Sequence, residues 1–317
     1  MDLKEIRIHA AVFTYKPGKE FPVLLKRLYL QERRPDRLLV VNTEEKYWDR
    51  SLEKLYPGME LIHIRKEEFD HGASRRMAAD YLSDGDVLVF MTQDAVPADR
   101  HLISSLAQVL LDEATAGAVY ARQIPRKSCS YLEKCTREYN YPEKTCIRYI
   151  EDTGKYGIKA FFCSNVCAAY WRESYEYAGG FPAKAIFNED MVMASSLMRM
   201  GYGVVYCADA RVIHSHNYSP LQQFHRNFDI GVSHVEFPEV FASVPAEGEG
   251  IRLVKRTARK AIRDGKAYLL GELLIQSAAK YTGYLLGRHF QRLPREVVLR
   301  LTMNKGYWKN IVFSDPS

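Results

Sequence analysis

Three groups of residues in this 317-residue chain have the types and spacing for chemistry. The first is Thr92-Gln93-Asp94, which closes the apolar run from Val87 to Met91. A run this short, flanked by Ser83-Asp84-Gly85 and by Pro97, reads as a strand buried on both faces. A carboxylate at the carboxyl end of a central parallel strand lies in the crevice where open α/β sheets hold their ligands. Against a diphosphate, Asp94 can hold a divalent cation; otherwise it caps the helix expected from Asp99 onward or closes a turn. The second group is Asn188-Glu189-Asp190, directly ahead of a helix predicted over 191–200. Carboxylates there are favoured by the helix dipole and can be simple caps, and one of them can instead act as a base. The third is His214-Ser215-His216, whose histidines, at i and i+2 on an extended segment, point the same way. They offer one metal ligand, or two at most, against the ordinary role of a polar surface histidine. Arg75 and Arg76, in the stretch from Phe69 to Arg76, oppose the dipole of the helix they begin, which suits either an anion or a solvated helix start.

The elements that position these groups follow from periodicity. Strands are predicted at 6–13, 37–41, 61–64 and 87–91, with helices at 20–31 and 74–82 between them, a right-handed parallel arrangement and the nucleotide-binding half of an α/β sheet. A helix at 102–111 and a strand at 118–121 follow. Residues 122–160, with Tyr131, Tyr139, Tyr141 and Tyr149, show no clear strand and read as a loop-and-helix excursion that selects an acceptor. Strands are then expected over 161–170, 202–207 and 210–213, and a helix from Leu221. Pro238 and Pro245-Ala246-Glu247-Gly248 break the pattern, placing a boundary near residue 240 and dividing the chain into a domain over 1–240 and a basic helical extension over 241–317.

Composition bounds the rest. An apolar fraction of 47% supports one large core with an appendage. The six cysteines form no CxxC pair, and the opening residues are charged, so free thiols in a cytoplasmic protein without a leader are expected. No apolar run approaches a membrane span. The net charge of +6 is uneven: residues 251–317 carry 14 Lys/Arg and 4 Asp/Glu, or +10, leaving −4 for the first 250. A long amphipathic helix is predicted over 251–275, with Ile251, Val254, Ala258, Ala261 and Ile262 on one face and basic residues between, followed by helical pattern over 272–290. Such a tail suits an anionic membrane surface; it lacks the aromatic and glycine pattern of single-strand nucleic-acid binders, so no nucleic acid is expected.

Taken together, Phe13-Thr14-Tyr15, the stretch 69–76 (FDHGASRR), 92–95 (TQDA), Gly179-Gly180-Phe181, Asn188-Glu189-Asp190 and 214–219 (HSHNYS) resemble the family-2 inverting glycosyltransferases of GT-A fold, nearest their rhamnosyltransferase branch. The resemblance covers roughly residues 6–235. It implies an α/β fold with a mostly parallel central sheet, a nucleotide-diphosphate sugar donor, and a divalent metal, Mg or Mn, held by Asp94 with His216 or His214. It implies Asp190 as the base, Glu189 and Arg226 on the acceptor side, and donor contacts from Thr14, Tyr15, Asn42, Glu44, Arg75, Gln93 and Asp94. Two departures stand out. Asn42 occupies the place of an acid that reads the nucleotide base, and Thr92-Gln93-Asp94 has lost one carboxylate of the family's metal motif. Gln223-Phe224-His225-Arg226 keeps a partial QxxR pattern with no tryptophan after it, which implies single-sugar transfer.

The leading expectation is therefore an enzyme that moves L-rhamnose from dTDP-rhamnose to a hydroxyl of a cell-surface glycan or its polyprenyl-linked precursor, peripheral at the inner face of the membrane. The competing one is a sugar-nucleotide-binding or membrane-associated protein that has lost turnover, motivated by Gln93 and the basic tail.

Overall fold

The structure is a computed structural model describing residues 2–242 and 247–311. In chain order it comprises β1 (Ile8–Tyr15), α1 (Glu20–Tyr29), β2 (Arg37–Thr43), α2 (Ser51–Leu55), β3 (Met59–Ile64), α3 (His71–Tyr81), β4 (Val87–Thr92), β5 (Val96–Pro97), α4 (Leu102–Asp112), β6 (Ala116–Ile124), α5 (Tyr131–Asn140), β7 (Cys146–Arg148), α6 (Thr153–Tyr156), β8 (Cys167–Trp171), α7 (Arg172–Tyr177), α8 (Glu189–Arg199), β9 (Gly203–Ile213), α9 (Pro220–Glu236), α10 (Pro238–Phe241), α11 (Glu247–Arg263), α12 (Leu270–Arg288) and α13 (Arg295–Leu301).

The strands form one sheet in the order β3-β2-β1-β4-β8-β6-β9-β5, with β7 also pairing β9. The pairings of β3, β2, β1 and β4 are parallel; β8 runs against both β4 and β6, which returns β6 and β9 to the first direction. Six strands thus run one way, and their carboxyl ends share a rim, giving the mostly parallel α/β sheet the sequence implied. Short apolar runs build it because both faces are covered: Val12, Leu24, Val40, Val89 and Leu106 pack on one side, and Phe13, Leu39, Phe90, Tyr170 and Leu197 on the other. The pairing of Val96 with Ile213 is the step that matters for the site, since it sets Asp94, two residues before β5, beside His214, directly after β9.

Four expectations are corrected. The strand expected over 161–170 is confined to Cys167–Trp171; Gly157–Phe161 forms a 3-10 turn and the chain between is a loop. Strands expected over 202–207 and 210–213 are one strand, β9, with a register shift near Cys207 that the period-2 pattern does not survive. The 122–160 excursion contains a strand after all, β7, three residues antiparallel to β9 and too short to show a periodicity. The helix predicted over 251–275 ends at Arg263, because Gly265 takes a left-handed conformation (φ 68°) and turns the chain into α12. The break at Pro245-Ala246 lies outside the described residues.

The stripe predicted on α11 divides. Ala261 and the neighbouring Thr257 are buried, while Ile251 and Ile262 are exposed. The helix α12 lies against α9 with no room for side chains: a Cβ on Gly283 would come within 2.3 Å of the Phe224 carbonyl, one on Gly287 within 2.1 Å of the Phe228 carbonyl, and one on Gly231 within 2.3 Å of the Tyr284 carbonyl. Beyond it, Phe290, Val298 and Trp308 close over Ile186, Phe228 and Val232, and buried Asp229 accepts hydrogen bonds from Thr302 Oγ1 (2.6 Å) and the Met303 and Asn304 amides.

Candidate active site

The rim where β1, β2, β4, β6 and β9 end gathers most of the residues singled out in the sequence. Asp94 is the hub. Its Oδ2 lies 3.4 Å from His214 Nε2 and 3.3 Å from His216 Nε2, and its Oδ1 accepts the Thr92 hydroxyl at 3.0 Å. The three ligand atoms lie within 4.8 Å of one another. Both histidines therefore reach the acid, where the sequence allowed one or two.

The donor set fits a metal on a further ground. Gln123 Oε1 lies 2.9 Å from His214 Nδ1 and also accepts from the Arg137 guanidinium. Because a carboxamide oxygen only accepts, Nδ1 carries the proton, and Nε2 turns a lone pair towards Asp94. Burial lowers the pKa of both imidazoles, His216 to about 4, which keeps them neutral. Burial works against the charge of the Asp94 carboxylate, and the Thr92 hydroxyl donates to it and favours the ionised form. A carboxylate and two neutral imidazoles are ligands for a divalent ion.

Gln93, standing where an acid was lost, grips the Tyr15 main chain instead: it accepts from the Tyr15 amide (3.0 Å) and donates to the Tyr15 carbonyl (3.1 Å). It thereby ties the β1 loop to the Asp94 loop and offers no metal ligand. Arg126 braces the same loop, donating to the Asp94 carbonyl at 3.1 Å with its other arm on Glu20 at 3.2 Å.

Beside the carboxyl ends of β1 and β2, Tyr15 meets Tyr47 edge to face at 5.8 Å, with Lys16 over both rings and Lys66 over Tyr15. Glu44, at φ 67°, accepts the Lys66 amide at 2.7 Å and pairs with Lys46 at 3.3 Å. Asn42 is not free to read a ligand: fully buried, it accepts the Thr14 hydroxyl at 2.9 Å and directs its amide group to His63 Nδ1 and the Glu44 carbonyl. Thr14 is buried with it. The pair holds the ends of β1 and β2 together, and the surface presented outward is Tyr15, Tyr47 and three lysines.

Across the rim, the N-terminus of α8 holds the two carboxylates in different states. Glu189 is buried; its Oε1 lies 3.2 Å from Arg75 Nη1 and accepts from Asn165 Nδ2 at 3.1 Å. Burial would raise its pKa, but Arg75 and His71 hold it below the usual value. Among the described residues Asp190 forms no ion pair: it accepts the Asn165 backbone amide at 3.2 Å and the Met191 amide at 2.8 Å, and burial beside the Glu189 charge, against a weaker pull from Arg75, raises it to about 7. Two neighbouring acids pushed apart in this way are the pattern of one structural anion and one proton acceptor poised near neutrality. Arg75, expected beside a diphosphate, is buried at 4% exposure, stacked on Phe13 and committed to Glu189 and the His71 carbonyl. Its helix is fixed by Asp70, which accepts the Gly72 and Ala73 amides and bridges to the Ala185 amide; a Cβ on Gly72 would meet the Pro182 carbonyl at 2.1 Å. Arg226, from α9, lies over Phe187 at 4.4 Å and Tyr218 at 5.9 Å, between the α8 terminus and His216.

Sequence reasoning missed Gln123, Asn165, Arg126 and Tyr47. Asn165 fell inside what read as a strand, and Gln123 and Arg126 inside an excursion without pattern.

The fold and this rim define a glycosyltransferase: residues 10–178 match the glycosyl transferase family 2 model, and the chain belongs to that family. It is 36% identical to the O-antigen chain rhamnosyltransferase RfbN of Salmonella typhimurium over 310 residues, covering 98% of each chain, and 36% identical over 285 residues to the O-antigen chain rhamnosyltransferase WbaN of Salmonella anatum, covering 90% of each. Among solved structures, the mannosyltransferase PcManGT from Pyrobaculum calidifontis, in complex with GDP-Man and Mn2+, shares the fold with a TM-score of 0.53 at 20% identity, over 95% of this chain and 85% of that one.

Proposed function

We propose that this glycosyltransferase moves L-rhamnose from dTDP-rhamnose to a hydroxyl of a cell-surface polysaccharide or its lipid-linked precursor, with inversion at the anomeric carbon. The observation that carries the chemistry is the pairing of an ionised, Arg75-bound Glu189 with an Asp190 held near pH 7, across the rim from the Asp94, His214 and His216 cluster. The sugar identity rests on the two Salmonella relatives. Asp190 takes the proton of the attacking hydroxyl, and Asn165 aims it by its backbone amide. Asp94, His214 and His216 hold the divalent ion, Mg or Mn, which when bound supplies charge neutralisation for the departing diphosphate. Tyr15 and Tyr47 offer an edge-to-face slot for the nucleotide base and Lys16, Lys46 and Lys66 its counter-charge, with Glu44 fixing the loop. Glu189 acts through Asn165 and Arg226 stands on the acceptor side.

Residues 1–240 serve as the catalytic unit and 241–317 as its basic helical extension. The helices α11 and α12 and the turn between them leave Ile251, Ile262, Tyr268, Leu274 and Ile275 exposed, with Lys255, Arg259 and Arg263 exposed on α11. Among the described residues no helix is long and apolar enough to cross a membrane. This mixed surface suits peripheral docking on an anionic membrane, where a lipid-linked acceptor is presented.

The test is turnover of a panel of nucleotide sugars by the purified chain with Mn2+, with Mg2+ and with excess chelator. Metal-dependent consumption of dTDP-rhamnose above the other donors is expected; consumption of none would leave the chain a binding protein.

A further inference from the structure

A cleft of about 420 Å³ opens beside the metal-competent cluster. His216 and Tyr218 line it with Glu133 of α5, Gln223 of α9, and Glu272 and Gln276 of α12. It is continuous with the site: Tyr218 stacks on His216 at 4.8 Å, His216 Nε2 lies 3.3 Å from Asp94, and Arg226 spans Tyr218 and Phe187, which leads into Asn188-Glu189-Asp190. The wall from α12 is rigid, because Gly283 and Gly287 seat that helix against the α9 backbone. Lys280 lies one turn beyond Gln276 on the same face. It is half-buried within electrostatic reach of Glu133 and Arg226, and among the described residues it has no ion pair.

The lining selects a ligand chemistry. Among the described residues no lysine or arginine lines it to hold an anion, its two carboxylates are engaged by Arg137 (Glu133, 2.6 Å) and by the Gln276 amide (Glu272, 2.9 Å), and the predominance of hydroxyl, amide and carboxylate groups gives an apolar chain little to bury against. Carboxamides that donate and accept, carboxylates that accept, and one aromatic face answer the adjacent hydroxyls and C–H face of an uncharged sugar. We propose that this cleft seats the acceptor saccharide, and that α12, in the C-terminal extension, forms one wall of the acceptor site. This rests on the reading of the chain as a transferase with Asp190 as base, and names where its second substrate sits.

The probes are the methyl α-glycosides of galactose, mannose, glucose and rhamnose, observed by saturation-transfer NMR on the full chain. At least one is expected to bind, and Gln276→Trp, which fills the cleft, to weaken it about tenfold or more, while Gln108→Trp on the exposed face of α4 does not. If Gln276→Trp fails to fold by thermal melting, Glu272→Ala with Gln276→Ala replaces it, with a loss of about fivefold expected. No glycoside bound by the native chain, or unchanged binding in the folded cleft variant, overturns the proposal. Glycoside binding lost in the cleft variant while the native chain consumes no nucleotide sugar would instead leave the cleft standing and remove the transferase reading.

Discussion

Gln123 accepts the Nδ1 proton of His214 across 2.9 Å, and so decides which ring nitrogen of that histidine faces Asp94. The same oxygen accepts from Arg137, and the Gln123 amide nitrogen donates to Tyr141 Oη (2.6 Å) and Ser164 Oγ (2.9 Å), so the orientation is set by four partners and not by chance. Gln123→Leu is expected to weaken Mn2+ binding by about ten- to a hundredfold, as loss of an outer partner of a metal-ligating histidine typically does. Calorimetric titration of Mn2+ into the folded variant checks this; native affinity would show that the tautomer is set elsewhere.

Asp94→Ala removes the one carboxylate of the cluster. Activity is expected to fall to the level seen in excess chelator, with the fold retained because the residue lies on the loop between β4 and β5. Near-native turnover in the variant, or full turnover with chelator, would remove Asp94 from the leaving-group side.

Asp190→Asn keeps shape and removes basicity. A general base contributes roughly 10² to 10⁴ in rate, so kcat is expected to fall by that range with donor affinity nearly unchanged. The native pH profile follows from the same residue: the base works only when ionised, so kcat/KM rises with pH through about 7 and levels above it. The Asn variant loses that limb. A parallel collapse of donor affinity would make Asp190 a binding or folding residue and return Glu189 as the candidate base.

Much of this rim was legible because its residues stand at element ends that periodicity locates. The apolar run Val87 to Met91 pointed to Asp94, and the helix period after Met191 pointed to Glu189 and Asp190. What periodicity does not carry is pairing between distant elements. The β5 to β9 pairing that joins Asp94 to His214 spans more than a hundred residues, and the Arg75 to Glu189 ion pair turns a supposed phosphate ligand into a partner for a buried acid. Asn42 followed the same course, its departure from an acid explained by a wholly internal set of hydrogen bonds to Thr14 and His63.

The α9 and α12 contact gives a stability prediction. Gly283→Leu forces a side chain against the Phe224 backbone and is expected to destabilise by about 1–3 kcal/mol, the range for overpacking, or more if α12 detaches. Gly271→Ala, with nothing within 4 Å of the added carbon in the first turn of α12, is expected to be neutral or to stabilise by up to about 1 kcal/mol. Denaturant melts of the two variants compare them directly; equal midpoints would mean the helices are not held together as described.

Membrane docking is best tested by point changes, since deleting everything after residue 245 would strip α12 from α9 and expose Phe228 and Val232. Ile262 is 58% exposed and Tyr268 76% exposed, and neither belongs to a core cluster. Each buried CH₂ is worth about 0.8 kcal/mol at a bilayer and each nearby Lys or Arg about 1 kcal/mol, the second term alone falling with salt. The double variant Ile262→Glu with Tyr268→Glu is therefore expected to lose co-sedimentation with phosphatidylglycerol vesicles at any salt, while Arg259→Gln with Arg263→Gln loses the part that salt already screens. Native protein is expected to sediment with these vesicles and much less with phosphatidylcholine ones. Recovery independent of lipid charge and salt, or unchanged in both variants, would mean that the α11 and α12 surface faces water and that the membrane is reached through another part of the chain or not at all.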